Sequence, residues 1–307
     1  MWNQVKTVLL LGGLSALMIG FGGAMGGNAL LIFAGLALVM NVGAYYFSDR
    51  LILSMHGAQE VTEEEAPELH GMVAELATAA NIPKPRVCVI PEAYANAFAT
   101  GRNPKHGVVA VTQGILDLLS PRELRGVIAH EIAHIKNRDI LIATIAAMLG
   151  SVVSYAANAI QFSALFGMGQ SNDDEESPAG GGLLMAFVAP IVATLMQMAV
   201  SRSREYIADA TAAELTGDPE ALALALKRLH EPHAQEQAQE MSPATASLFI
   251  VSPLFGLGGV MSWFSTHPPA EDRIERLMGM PVRMKASRGD YRGWRRGLSR
   301  RKLVESV

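Results

Sequence analysis

The stretch "VIAHEIAHIKN", residues 127–137, decides the fold, because it sets two histidines four positions apart with a glutamate directly after the first. On a helix each residue turns by about 100°, so His130 and His134 lie within about 40° of each other and project from one face. Two neutral imidazoles so placed can share one metal ion. Glu131 lies about 100° from His130, beside the ion, where it can accept a proton from a water. The stretch therefore predicts a zinc site that hydrolyses amide bonds, with Glu131 as catalytic base.

The residues before the motif predict a well-capped helix. Ser120 supplies an N-cap, Pro121 suits the first turn and Glu123 completes a capping box. A second capping box, Thr62 with Glu65, predicts an earlier helix that ends at "NIP". Between the two helices, "RVCVIPE" reads as a strand, and "ANAFATGRNPKHGVVAVTQGIL" reads as two strands around a turn. The alternative for the motif, two histidines and a glutamate on an ordinary helix surface, stays open.

A catalytic zinc needs a third protein ligand and an open fourth position. A third histidine six residues after the second is absent, since position 140 is Ile. The best candidate is Glu205 in "SRSREYIADA", on a later helix. Asp209 lies four residues further on the same face and can accept a hydrogen bond from a ligating histidine. A salt bridge between Glu205 and a neighbouring arginine is the alternative.

Long uncharged runs predict a membrane protein. No charged residue lies between Lys6 and Asp49, which leaves room for two membrane helices joined at "GFGGAMGG", residues 20–27. Two further runs, 140–172 and 183–200, bring the expected number of spans to about four. A cleaved signal peptide is the alternative for the first run, and a pair of buried core helices is the alternative for the last two.

The basic residues predict the orientation of these spans. Lys6, Arg50 and Arg138 lie on one side, whereas the loop "SNDDEESP", residues 171–178, carries only acidic charges on the other. Both termini and the region 49–139 should therefore face the cytoplasm.

The lone Cys88 fits a reducing compartment and a role as a small core residue. The basic carboxy-terminal tail is expected to lie on anionic lipid or in solvent, and no nucleic-acid partner is expected.

The predicted class is α+β, a mainly helical multi-pass membrane protein with a zincin-like cytoplasmic catalytic domain that contains a small β-sheet. Its expected divisions are a transmembrane hairpin (1–50), the first catalytic part with the motif helix (51–139), a second transmembrane hairpin (140–200), and the second catalytic part with the third ligand and the basic tail (201–307). The polar stretch 230–247 reads as a mobile loop.

Three motifs in order, "HEIAH", "SRSREYIADA" and "STHPPAEDRIERL", follow an apolar hairpin. In this arrangement the chain resembles the bacterial HtpX-type membrane zinc proteases, relatives of the prenyl-protein endopeptidases. The resemblance implies one Zn²⁺ per chain, held by His130, His134 and Glu205. It also implies that Asp209 orients a ligand, and that His267 and Arg273 face the site. His267 could then donate to the oxyanion of the tetrahedral intermediate.

The resemblance also gives an expected substrate and location. The "NAFATG" strand resembles the edge on which these proteases lay an extended substrate, with Asn96, Ala97 and Phe98 offering backbone groups. An ordinary hairpin strand is the alternative. The expected activity is cleavage of unfolded or misassembled membrane proteins at the cytoplasmic face of the bacterial inner membrane, as part of quality control under stress.

Three other functions stay open. A prenyl-protein processing protease would need a large intramembrane chamber, which four short spans do not readily form. A transporter usually keeps ionisable residues at mid-membrane, whereas the apolar runs contain none. A catalytically silent scaffold would not need Glu131, which is intact.

Overall fold

The structure is a computed structural model that describes residues 2–145, 202–231, 250 and 268–282. His267, residues 232–247 of the predicted loop and the basic tail from residue 283 lie outside the described residues. So do the third and fourth predicted spans beyond residue 145. The helices and strands are α1 Trp2–Met25, α2 Ala29–Met55, β1 Gln59–Glu60, α3 Pro67–Ala80, β2 Arg86–Ile90, β3 Ala97–Thr100, β4 Val108–Thr112, α4 Gln113–Leu118, α5 Pro121–Asn137, α6 Arg202–Thr216, α7 Pro219–Leu229 and α8 Ala270–Met278.

Helices α1 and α2 form an antiparallel hairpin. The turn is narrower than residues 20–27, because α1 continues to Met25 and only Gly26 and Gly27 adopt the positive φ angles (76° and 56°) that reverse the chain. Gly22 lets the helices approach closely, since an added Cβ would lie 2.8 Å from the Cβ of Phe33. The Asn41 amide donates a hydrogen bond to Ser15 across the pair.

Helix α2 joins this hairpin to the rest of the fold. Among the described residues it is the one helix long and apolar enough to cross a membrane, and a shorter apolar stretch, Leu11–Gly20, lies in α1. Helix α2 runs past the predicted boundary at residue 50, to Met55. Its last turns are buried at Ile52 and Leu53, which pack against the sheet. The last turns of α2 therefore belong both to the hairpin and to the packed part of the fold that contains the sheet.

The sheet has the order β1-β2-β4-β3, with β2 and β4 parallel and the outer pairs antiparallel. One face carries Val87, Val109 and Val111 and packs against α3 and α5. The other face carries Cys88 and Phe98 and packs against the end of α2. Burial raises the pKa of the Cys88 thiol to about 11. Mainly helical structure with a small mixed sheet confirms the α+β class, while the number of spans stays a prediction.

The ends of α3 differ slightly from the prediction. Thr62 and Glu65 exchange the expected capping contacts, but they form a separate turn and α3 itself begins at Pro67. The helix ends at Asn81, whose left-handed conformation (φ 57°) terminates it. Its apolar face is buried as the sequence pattern predicts.

Helix α5 lies at the centre of the described fold. The predicted capping box forms: the Ser120 side chain accepts from the Glu123 backbone, and Glu123 in turn accepts from the Ser120 backbone. Gly126 allows α5 to cross α7 closely, because an added Cβ would lie 2.8 Å from the backbone nitrogen of Leu222. Arg228 of α7 also donates to Glu123, at 2.8 Å. These contacts fix the start of the motif helix against the carboxy-terminal helices.

Candidate active site

Two helices bring the predicted ligand side chains together. His130 and His134 project from α5 with their Nε2 atoms 3.1 Å apart. Glu205, in the first turn of α6, places Oε2 at 3.5 Å from the Nε2 of His130 and Oε1 at 3.5 Å from the Nε2 of His134. One ligand atom from each of the three residues lies within 4.8 Å of the others, so the set can hold a metal ion.

The geometry of these atoms fits a four-coordinate metal. Two ligand atoms bound at about 2.0–2.1 Å in a tetrahedron lie about 3.3 Å apart. The Nε2–Nε2 distance of 3.1 Å and the Nε2–oxygen distances of 3.5 Å lie on either side of that value. Three protein ligands leave the fourth position for a water or a substrate carbonyl. A nitrogen, nitrogen and carboxylate set is one that zinc accepts.

An acidic and a basic side chain, Asp209 and Arg273, lie at the Nδ1 side of His130. The Nδ1 atom of His130 lies 2.9 Å from Asp209, and Arg273 donates two hydrogen bonds to the same carboxylate, at 2.7 and 2.8 Å. Although burial favours the neutral acid, Arg273 holds the pKa of Asp209 below its ordinary value. Burial lowers the pKa of His130, but Asp209 and Glu205 raise it to about 9 in the metal-free chain. A metal ion can bind this imidazole only at a deprotonated nitrogen.

Glu131 lies on the same helix and is 2% exposed. Burial raises the pKa of its carboxyl above the ordinary value, although the neighbouring histidines oppose this shift. The backbone N–H of Ala99 in β3 donates a hydrogen bond to it. A buried carboxylate with a raised pKa, held by a strand amide beside the metal ligands, suits a group that accepts and returns a proton.

Sequence comparison places this chain in a known family of enzymes. The model of Peptidase family M48 matches residues 63–280, which include His130, His134 and Glu205. The chain is 51% identical over 285 residues to a "Protease HtpX homolog" of Syntrophobacter fumaroxidans, covering 91% of this chain and 100% of that protein. A "Protease HtpX homolog" of Persephonella marina is 53% identical over 288 residues, covering 92% and 99%.

The chain belongs to peptidase family M48.

The fold is also similar to a solved structure. The crystal structure of S. mikatae Ste24p matches with a TM-score of 0.50 at 18% identity, over 90% of this chain. At 18% identity the similarity shows the fold alone, and this chain spans 64% of the length of that one.

Membership of family M48 makes the protein a metalloendopeptidase, and the predicted family resemblance is confirmed. Three helices bring together the residues of a candidate M48 site. Helix α5 supplies two nitrogen donors and the buried Glu131, α6 supplies the carboxylate, and Arg273 of α8 balances the charge behind them. A metal ion held by these residues would supply a Lewis acid and would lower the pKa of a bound water.

The strand nearest the M48 site is β3, at the edge of the sheet. Asn96 accepts from the Thr112 backbone, and strand alternation points the backbone groups of Phe98 toward β4 as well. Ala97 therefore presents its backbone groups to the open edge. Its N–H donates to the Asn96 side chain, and its carbonyl accepts from the Ile250 N–H at 3.2 Å. Of the three residues expected to meet substrate, only Ala97 faces outward, and it has partners within the chain.

One contact of the M48 site is not predicted by the sequence. The Nδ1 atom of His134 lies 3.3 Å from the Asp139 carboxylate. Asp139 follows His134 by five residues, which on a continuous helix would place it about 140° away. The contact forms because Arg138 adopts a left-handed conformation (φ 59°) that ends α5 and turns the chain back. The sequence alone does not show that an arginine will adopt a positive φ angle.

Proposed function

We propose that the protein is a zinc-dependent endopeptidase with one Zn²⁺ held by His130, His134 and Glu205. The donor atoms support zinc because their number, type and spacing suit a tetrahedral ion with one open position. Glu131 accepts the proton of the attacking water and returns it to the leaving amine. His267, outside the described residues, is proposed to donate to the oxyanion.

We infer that Asp209 and Arg273 orient the site rather than react. Asp209 accepts from His130 Nδ1–H, which leaves the Nε2 lone pair facing the ion. Arg273 neutralises Asp209 and lies 3.7 Å from Glu205. Arg273 thus places a positive charge next to both buried carboxylates.

We propose that the enzyme is a multi-pass protein of the bacterial inner membrane, with about four spans and with its active site and both termini in the cytoplasm. The observation that supports a membrane location is the surface of α2. Leu31, Ile32, Leu38 and Val39 are each at least 66% exposed, whereas a core helix would bury such residues. The end of α2 packs against the sheet next to β3, which would hold the active site close to the membrane surface.

The proposed substrates are unfolded or misassembled membrane proteins, cleaved as part of quality control under stress. The β3 edge lies beside Glu131, which accepts a hydrogen bond from Ala99, and an unfolded chain can supply an extended segment that pairs with such an edge. At Ala97 the substrate would have to replace the contact with Ile250 or bind beyond it. The need to replace this contact favours substrates that are already unfolded, because their backbone groups have no hydrogen bonds of their own to give up.

The convergence of His130, His134 and Glu205 beside Glu131 is the single observation that carries the proposal. We expect purified full-length protein in detergent, loaded with zinc, to cleave an unfolded test protein. Glu131→Gln should keep one zinc per chain and lose cleavage by at least about 100-fold, as expected for a catalytic base. Glu205→Gln should lose both zinc and cleavage. Zinc content and product formation are measured on the same samples.

The matched control is Glu214→Gln, which removes an exposed carboxylate from the same helix as Glu205. It should leave zinc content and cleavage unchanged. Cleavage by Glu131→Gln at the wild-type rate would disprove the assignment of the base. Full zinc occupancy in Glu205→Gln would disprove the assignment of the third ligand.

A further inference from the structure

Asp139 lies outside the motif helix but reaches back to one of the proposed metal ligands. Its carboxylate oxygen is 3.3 Å from His134 Nδ1, and the residue is 5% exposed. Its backbone N–H donates to the His134 carbonyl at 3.0 Å, so backbone and side chain both contact the same residue. The left-handed Arg138 between them is the turn that makes both contacts possible.

The position of Asp139 matches the position of Asp209. Asp209 contacts His130 at Nδ1 and is neutralised by Arg273, and Asp139 contacts His134 at Nδ1. The buried Arg204 interacts electrostatically with Asp139, and it lies directly before the proposed ligand Glu205. Each imidazole of the site therefore has a carboxylate behind it and an arginine near that carboxylate.

A carboxylate at Nδ1 determines which nitrogen of an imidazole can bind a metal. A neutral histidine has one N–H and one lone pair, and only the lone pair can bind a metal. When Nδ1–H donates to a carboxylate, the lone pair is on Nε2. The Nε2 atoms of His130 and His134 are the pair that converge at 3.1 Å.

A different role for Asp139 must be separated from this one. Helical residues 140–145 begin directly after it, and the Ala143 N–H donates to its backbone carbonyl. Aspartate is a favoured N-cap, so the side chain could serve only to start that helix. A test must keep the cap while removing the contact with His134.

We propose that Asp139 is a positioning residue that holds His134 with Nε2 free to bind the metal, as Asp209 does for His130. The inference rests on the proposed metal site. Asparagine at 139 retains an acceptor oxygen of the same reach, and it also caps helices. Serine caps helices equally well, but its side chain is one bond shorter and cannot span the distance to Nδ1.

The experiment compares Asp139→Asn with Asp139→Ser in the full-length protein in detergent. Zinc affinity is measured by competition with a chelator, and the ligand field is read from the absorption spectrum after cobalt replaces zinc. We expect Asp139→Ser to bind zinc about 10- to 100-fold more weakly, as for other partners behind a metal ligand, and to change the cobalt spectrum. Asp139→Asn should remain close to the wild type in both. Asp218→Ser is the matched control, because Asp218 caps α7 and lies in a salt bridge with Arg122 instead of contacting a ligand.

Equal zinc affinity in Asp139→Ser and Asp139→Asn would overturn the inference, whether both match the wild type or both fall together. In the first case the contact has no effect on the metal, and in the second the charge or the cap is responsible. Failure of the wild type to bind zinc, or unchanged binding in His130→Ala, would overturn the proposed metal site and the inference with it. The two failures are therefore distinguishable.

Discussion

Arg273 is the residue on which the charge balance behind the site depends. It is 1% exposed, and its guanidinium donates two hydrogen bonds to Asp209. One further nitrogen lies 3.4 Å from the carbonyl oxygen of Ile250 and 3.7 Å from Glu205. Two buried carboxylates and one buried arginine thus share a single cluster. Arginine suits this position better than lysine because only a planar fork meets Asp209 with two bonds.

Removing both Asp209 and Arg273 should destabilise the fold by less than the two single losses added together. Arg273→Ala leaves the Asp209 carboxylate buried without its counter-charge, and we expect a loss of about 3–5 kcal/mol in the free energy of unfolding. The double variant Asp209→Ala with Arg273→Ala should lose less than the sum of the single variants. Chemical denaturation of the metal-free protein measures all three. Additive losses would show that the pair does not act as a unit.

Helix α5 is the element that decides whether the site is assembled, because it carries two ligands and crosses the carboxy-terminal helices. The crossing depends on Gly126, where any side chain would meet the backbone of Leu222. Backbone atoms cannot rotate out of the way as a flexible side chain can. The close approach is therefore a requirement of the fold rather than a local preference.

We expect Gly126→Ala to lower the free energy of unfolding by about 1–3 kcal/mol, since overpacking at a tight crossing moves both helices. Gly71→Ala in α3 is the matched control. Its added Cβ would have nothing within 4 Å, so the better helix propensity of alanine should raise stability by up to about 1 kcal/mol. Thermal unfolding of both variants tests the difference. A Gly126→Ala protein as stable as the wild type would show that the crossing can open freely.

Helical periodicity and capping rules account for what the sequence could predict. The spacing of His130 and His134 was enough to place them on one face, and Ser120 with Glu123 was enough to place the start of the helix. Strand patterns located β2, β3 and β4. These features depend on residues close together in the chain.

The contacts that the sequence could not predict depend on the path of the chain in space. The contact between His134 and Asp139 requires an unusual backbone angle at Arg138, and an arginine in the sequence does not predict that angle. The edge of β3 was expected to be open, yet Ile250 reaches Ala97 from far along the chain. Such contacts are set by packing between elements, so a local pattern does not contain them.

At the scale of the whole molecule, α2 connects two environments. Its middle is apolar and exposed, while its end is buried against the sheet. Asp49 is the first charge after the uncharged run and is only 7% exposed, 3.9 Å from Arg86 of β2. A helix with these two halves suits a chain that leaves a bilayer and enters a folded domain without a linker.

We expect a fusion of residues 26–58, which contain α2 without α1, to a soluble reporter to remain with membranes after alkaline extraction. Replacing Leu38 and Val39 with lysine should release it, because each charge near the middle of a membrane helix costs about 2.5–3.5 kcal/mol. Leu51→Lys is the matched control, since Leu51 lies beside Arg50 at the end of the apolar segment. Membrane retention of the Leu38 and Val39 variant would argue that α2 does not span the bilayer.

The burial of Cys88 has a practical consequence for mapping the path of the chain across a membrane. It is the single cysteine in the sequence, and its thiol, with a pKa of about 11, is almost entirely unreactive at neutral pH. We therefore expect the unaltered protein to react little with maleimides. A cysteine introduced at any exposed position would carry the whole labelling signal, and its accessibility from either side could be scored without first engineering the native thiol away.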